Sequence, residues 1–154
     1  MNAVRSRLWW FLLFFAAVMV VFGVGDVLSG VTADPAIATG LTGLSLQQLQ
    51  EQDPAGYRLF DFATRGLGLN LALVGLLASV ILFVPYREGA RWAWYAIWVL
   101  PIWCAAVVAL YLAFGLAPGA PTPPPMISGP IFGVLAAIVL LVDRPRFFSG
   151  EPRP

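Results

Sequence analysis

The sequence predicts an all-α fold: a single integral membrane domain, residues 1–154, built as a four-helix bundle with N and C termini cytoplasmic and a short amphipathic helix in the first outer loop. Three observations predict it. Apolar residues fill 60% of the chain and charged residues 11%, against about 45–50% and about a quarter in soluble domains, so the apolar excess must face lipid. The apolar residues gather into four runs, near residues 8–28, 66–84, 92–114 and 126–142, and a helix needs roughly 20 of them to cross about 30 Å of hydrocarbon. The cations are also segregated. Arg5, Arg7, Arg87, Arg91, Arg144, Arg146 and Arg153 fall on one side of such a bundle, and only Arg58 and Arg65 on the other. Positive residues stay on the cytoplasmic side, and an even number of crossings returns the chain there.

The first span follows Arg5 and Arg7. A cleaved secretory signal ending near Val31-Thr32-Ala33 is the rival reading, but an apolar run of about 20 exceeds the 7–15 or so of a signal core, and Asp26 interrupts the approach to that site. The loop after it contains Ser45-Leu46-Gln47-Gln48, a capping box in which the Ser hydroxyl and Gln amide satisfy orphan backbone groups. It predicts a helix over residues 45–53, stopped by Pro54. Leu46 and Leu49, set among Gln47, Gln48, Gln50 and Glu51, suit a helix lying on the membrane surface.

The second span carries Gly68, Ala72, Gly75 and Ser79, small residues on one face that let helices approach closely in lipid. The third carries Ala105, Ala109 and Ala113, and the fourth Gly129, Gly133 and Ala137, which predicts the same kind of seam. Pro101 should kink the third span and free a carbonyl one turn earlier. The fourth, near 17 residues, is short for the bilayer and should run upright or thin it locally. Pro121-Thr122-Pro123-Pro124-Pro125 ahead of it reads as a polyproline II strut, and the tail beyond Asp143 as frayed. All six Trp fall toward the Arg-rich side, where an aromatic belt belongs.

Several chemistries are excluded by residue type. There is no His and no Lys, so His-ligated haem, His-containing zinc sites and a His base are ruled out. One cysteine, Cys104, makes neither an intramolecular disulfide nor a Cys-x-x-Cys pair, and reads as a small packing residue. A net charge of +1 gives no sign of nucleic acid. No catalytic residue, metal site or cofactor is expected.

The remaining candidates are polar or aromatic residues at membrane depth. Extending the second helix outward puts Asp61 and Arg65, an i,i+4 pair, on the small-residue face. Asp26 lies about 27 Å from residue 8 along the first helix, at similar depth. We therefore expect a polar cluster of Asp26, Asp61 and Arg65, joined by Arg58. It would act either as an ion pair that pins helices or as a shallow ligand pocket. Asn70 lies on the opposite face from Asp61 and is expected to meet another helix, a water path or a partner protein. Trp98 and Trp103, deep in the third span beside Pro101, are candidate walls for an amphipathic ligand such as a quinone or lipid. The inner Arg ring suits anionic headgroups, although topology already accounts for it.

Arg65-Gly66, Gly75, the run Tyr86-Arg87-x-Gly89-x-Arg91-Trp92-Ala93-Trp94-Tyr95 and the earlier Thr42-Gly43-Leu44-Ser45 resemble a pattern in small bacterial four-helix membrane proteins of the DoxX-like class. That resemblance implies a four-helix bundle in a bacterial inner membrane and carries over no catalytic residue. The expected role is a non-enzymatic accessory or binding subunit. Its expected partners are membrane lipids and a larger membrane complex or a second copy of the chain. The alternatives are an amphipathic-ligand carrier and a membrane enzyme using Asp26 or Asp61.

Overall fold

The computed structural model describes residues 8–148; Arg5, Arg7 and Arg153, and the tail beyond residue 148, lie outside them. It is all-α, with four helices long and apolar enough to cross a membrane. α1 is Trp9–Ser29, followed by a 3-10 turn at Gly30–Thr32. The first outer loop holds α2, Pro35–Thr42, and α3, Leu46–Gln52. α4 is Pro54–Ile81, continued by a π-helical turn at Leu82–Tyr86. α5, Arg91–Ile97, and α6, Val99–Phe114, together form the third span. α7 is Pro124–Asp143, and α8 is a final turn at Pro145–Phe148.

Local chemistry sets the boundaries. The capping box forms: Ser45 Oγ accepts from Gln48 N at 3.2 Å, and Gln48 Oε1 accepts from Ser45 N at 2.9 Å. Asp53 then caps α4 by accepting from Gly56 N at 2.9 Å, with Pro54 at the first helical position, where its missing N–H costs nothing. The second span therefore begins at Pro54, well before residue 66. α2 is an element the sequence reading passed over, although Asp34 caps it through Ala36 N and Pro35 opens it. Pro121, Thr122 and Pro123 stay outside any helix, and Pro123 has the extended backbone of a polyproline strut. Pro124 and Pro125 begin α7, because proline fits the first turn of a helix better than it fits any later one.

Pro101 acts as expected, and the third span breaks at Trp98, three residues before it. Pro85 sits inside the π-turn, where the wider coil accommodates a residue that lacks an N–H. The tail reading needs correction over α8. Phe147 is buried, its ring centroid 4.7 Å from that of Tyr86, and its carbonyl accepts from Arg91 Nε at 3.2 Å. Phe147 and Phe148 continue the apolar face beyond Asp143, which holds this turn down.

Packing is organised as two close pairs, α1 on α4 and α6 on α7. Glycine makes the first pair possible. A Cβ at Gly68 would lie 2.5 Å from Asp26 Cβ and 2.8 Å from Gly23 O, and one at Gly75 would lie 2.7 Å from Ala16 O. The backbones touch where lipid alone gives little reason for helices to associate. The second pair does not use the predicted seam. Ala105, Ala109 and Ala113 are exposed, and Cys104 is buried instead, with a Gly133 Cβ position only 2.9 Å from Cys104 Cβ. One residue along a helix turns the face by about 100°, which separates the two readings. The fourth-helix glycines do face α6.

The two pairs join through Trp9, Leu12, Leu82, Tyr86, Trp94, Ile97, Leu100 and Leu140. The described ends of the chain sit at one end of the bundle: the Trp9 ring lies 6.4 Å from Phe83, near the Tyr86–Phe147 contact. At the opposite end the loops close on each other. Ala117 N donates to Gly40 O at 2.9 Å, and the close approach of Pro123 leaves no room for a side chain on Gly40.

Candidate functional site

The outer polar cluster forms around Asp61 and Arg65, and it is narrower than the sequence suggests. Helical spacing places the two on one face of α4, and Arg65 Nε donates to Asp61 Oδ2 at 2.9 Å. Asp61 Oδ1 accepts from Val31 N at 3.0 Å. Arg65 Nη1 donates to Val27 O at 2.7 Å and Leu28 O at 3.0 Å. The pair thus satisfies two of the carbonyls that a helix C-terminus leaves unpaired, and the Val31 amide of the 3-10 turn that follows. Gly30 makes this approach possible: its φ is +59°, and the space a Cβ would need is occupied by Asp61 Oδ1.

Asp26 and Arg58 do not join the clasp. Among the described residues the Asp26 carboxylate makes no hydrogen bond or ion pair, and its Cβ lies against Gly68. Arg58 is exposed and likewise unbonded. Asp34, from the loop, lies within electrostatic reach of both Asp26 and the Tyr111 hydroxyl. Partial burial pushes the Asp34 carboxyl above its ordinary value, opposed by the Ala36 amide that it accepts from.

The other candidates separate. Asn70 is exposed on the outer face of α4 and turns its Nδ2 back to Gly66 O at 3.0 Å. Trp98 and Trp103 are partly buried against the core. Trp98 packs edge-on to Trp94 with centroids 5.7 Å apart. Among the described residues its buried Nε1 has no hydrogen-bond partner, whereas Trp94 Nε1 donates to Leu140 O at 2.9 Å. A shallow apolar groove of about 350 Å³ lies elsewhere, against Thr122, Pro124, Ile127, Ser128, Ile131 and Phe132. Neither tryptophan lines it.

One polar group escaped the sequence reading. Asp143, 1% exposed, accepts from the Tyr86 hydroxyl at 3.0 Å and lies 3.8 Å from Arg146 Nη1. Arg146 also donates to the Arg87 carbonyl. The available signal was the Asp143–Arg146 spacing of three, followed by two phenylalanines.

Among the described residues no group of three or more His, Cys, Asp or Glu side chains is placed to hold a metal ion. No family model, curated protein or solved structure matches the chain.

Proposed function

We propose that this protein is a non-enzymatic accessory subunit that binds laterally, within the membrane, to a helix of a larger complex. Asn70 carries the reading. It lies about 7.5 Å deeper along α4 than Arg65, at 1.5 Å per residue, on a face that the protein itself leaves uncovered. One amide N–H is used by Gly66 O; the amide oxygen and second N–H have no partner among the described residues. Lipid supplies none, and an unmet polar group in hydrocarbon is costly. Gly66 sits one turn away with nothing within 4 Å of its Cβ position, and Leu73 and Leu77 continue the same face, exposed. A small residue for close approach beside an amide for hydrogen bonding is what helix association in lipid uses.

The test is purification in mild detergent followed by native mass spectrometry, with Asn70→Leu alongside. The expected result is co-purification with a partner, weakened by the substitution. A protein that runs alone as a monomer under all such conditions overturns the reading, and a self-associated form would make the partner a second copy. The finer expectations, a DoxX-like relationship, a bacterial inner membrane and a cytoplasmic Arg-rich end, rest on the Tyr86–Tyr95 pattern and on the arginine bias.

A second reading, an amphipathic-ligand carrier, is favoured by the buried, unpartnered Trp98 Nε1. A quinone carbonyl or lipid ester would supply the missing acceptor. Organic extraction of the purified protein tests it. An empty preparation would reject it.

A further inference from the structure

We infer that Arg91 and Arg144 form, around the Phe148 ring, a seat for the phosphate of an anionic phospholipid at the Arg-rich end of the bundle. The inference is independent of the Asn70 face. Arg91 opens α5 and Arg144 follows α7, yet both guanidinium carbons lie 5.8 Å from the centroid of the same Phe148 ring. The ring itself is fixed by edge contacts to Trp94 at 5.3 Å and Tyr95 at 5.8 Å. Arg91 is held further by its Nε donation to Phe147 O at 3.2 Å. Three chain segments therefore meet at one aromatic platform that orients two cations.

Among the described residues neither Arg91 nor Arg144 pairs with a carboxylate: Asp143 is engaged by Tyr86 and Arg146, and Glu88 makes no ion pair there. A guanidinium stays charged throughout the accessible pH range and offers several donors in one plane, a geometry that suits phosphate oxygens better than an ammonium does. Both arginines are exposed. Trp92 and Tyr95 beside them are 57% and 60% exposed, as expected of side chains at headgroup depth. A phosphate in that layer would meet two guanidiniums, while its acyl chains ran along the exposed apolar flanks. Topology requires positive charge at this end but does not require two guanidiniums on one ring.

Arginine-to-lysine exchange separates the two roles, since lysine preserves the charge but not the planar donor set. The full chain is purified in mild detergent, offered equal phosphatidylglycerol and phosphatidylcholine, and read by native mass spectrometry. The wild type should retain phosphatidylglycerol with about tenfold preference, two cations at a bilayer surface sufficing for that order of discrimination. Arg91→Lys with Arg144→Lys should reduce the preference to about twofold, and Arg144→Lys alone, which breaks no side-chain hydrogen bond among the described residues, should lower it with thermal unfolding unchanged. Arg58→Lys, at the other end, should leave it intact. No preference in the wild type, or full preference in the double lysine variant, would overturn the seat. If the double variant does not fold, the wild-type lipid comparison alone decides. Millimolar inorganic phosphate is the source control. Preferential retention of phosphatidylglycerol in its presence supports a headgroup site, and selective loss of phosphatidylglycerol would assign the seat to free phosphate instead.

Discussion

The Tyr86 hydroxyl donates a 3.0 Å hydrogen bond to the buried carboxylate of Asp143, tying the end of the second span to the end of the fourth. Taking a carboxylate out of water is costly unless donors compensate it. Here the donor comes from the π-turn, and the Arg146 guanidinium lies 3.8 Å away on the adjoining α8 turn. Tyr86→Phe removes one donor while keeping the ring against Phe147. It should lower stability by about 1–3 kcal/mol, the cost of leaving a buried acceptor less satisfied, read as a drop in thermal unfolding temperature in detergent. An unchanged transition would mean that this bond does not join the spans.

The two tryptophans one turn apart on the third span predict opposite outcomes. Trp94 Nε1 is bonded to Leu140 O, so Trp94→Phe leaves a carbonyl without its donor and should cost about 1–3 kcal/mol. Trp98 Nε1 is buried with no acceptor among the described residues, so Trp98→Phe removes an unmet donor and should fall within about 1 kcal/mol of wild type. Equal losses at both positions would show that Trp98 does find a partner, and in purified material that partner would be sought among bound quinone or lipid.

Glycine at two positions of α4 separates packing from open surface. Gly68→Ala places a methyl 2.5 Å from Asp26 Cβ and must move α1 off α4, costing about 1–3 kcal/mol as overpacking does. Gly66→Ala meets nothing within 4 Å and should be neutral or slightly stabilising, alanine being the better helix former by about 1 kcal/mol. A matched pair of thermal melts checks both. Destabilisation by Gly66→Ala would indicate a covered face there.

What the sequence made legible follows from range. The Asp61–Arg65 pair and the Ser45 capping box are local, and helical spacing alone specifies them. The spans are legible because lipid demands long apolar runs. The Val31 amide that completes the clasp is not, since it depends on a turn thirty residues away. Asp143 is not legible as a buried group because an acid after an apolar run ordinarily marks the return to water, and only the later phenylalanines betray that the packing continues past it. The third-span seam failed for a different reason. Small residues at a spacing of four define a stripe without saying whether it meets protein, and Cys104, one position away from Ala105, took the contact.

The outer clasp gives the most discriminating case, because Gly30 and Asp61 compete for one volume. A methyl at Gly30 would fall on Asp61 Oδ1, and the backbone there, with φ 59° and ψ −141°, lies in a region essentially reserved for glycine that costs any L side chain about 1–3 kcal/mol. Gly30→Ala should therefore destabilise twice over, by backbone strain and by driving Asp61 from the Val31 amide. In the Asp61→Ala background the second penalty has already been incurred. The double variant should then cost less than the sum of the single changes, since residues in contact do not act additively. Gly25→Ala, with nothing within 4 Å of its Cβ position, serves as the silent control. Strict additivity of the Gly30 and Asp61 substitutions would mean that the aspartate does not rely on the glycine. The clasp would then be held at the end of α1 by Arg65 on the Val27 and Leu28 carbonyls rather than by Asp61 on the Val31 amide.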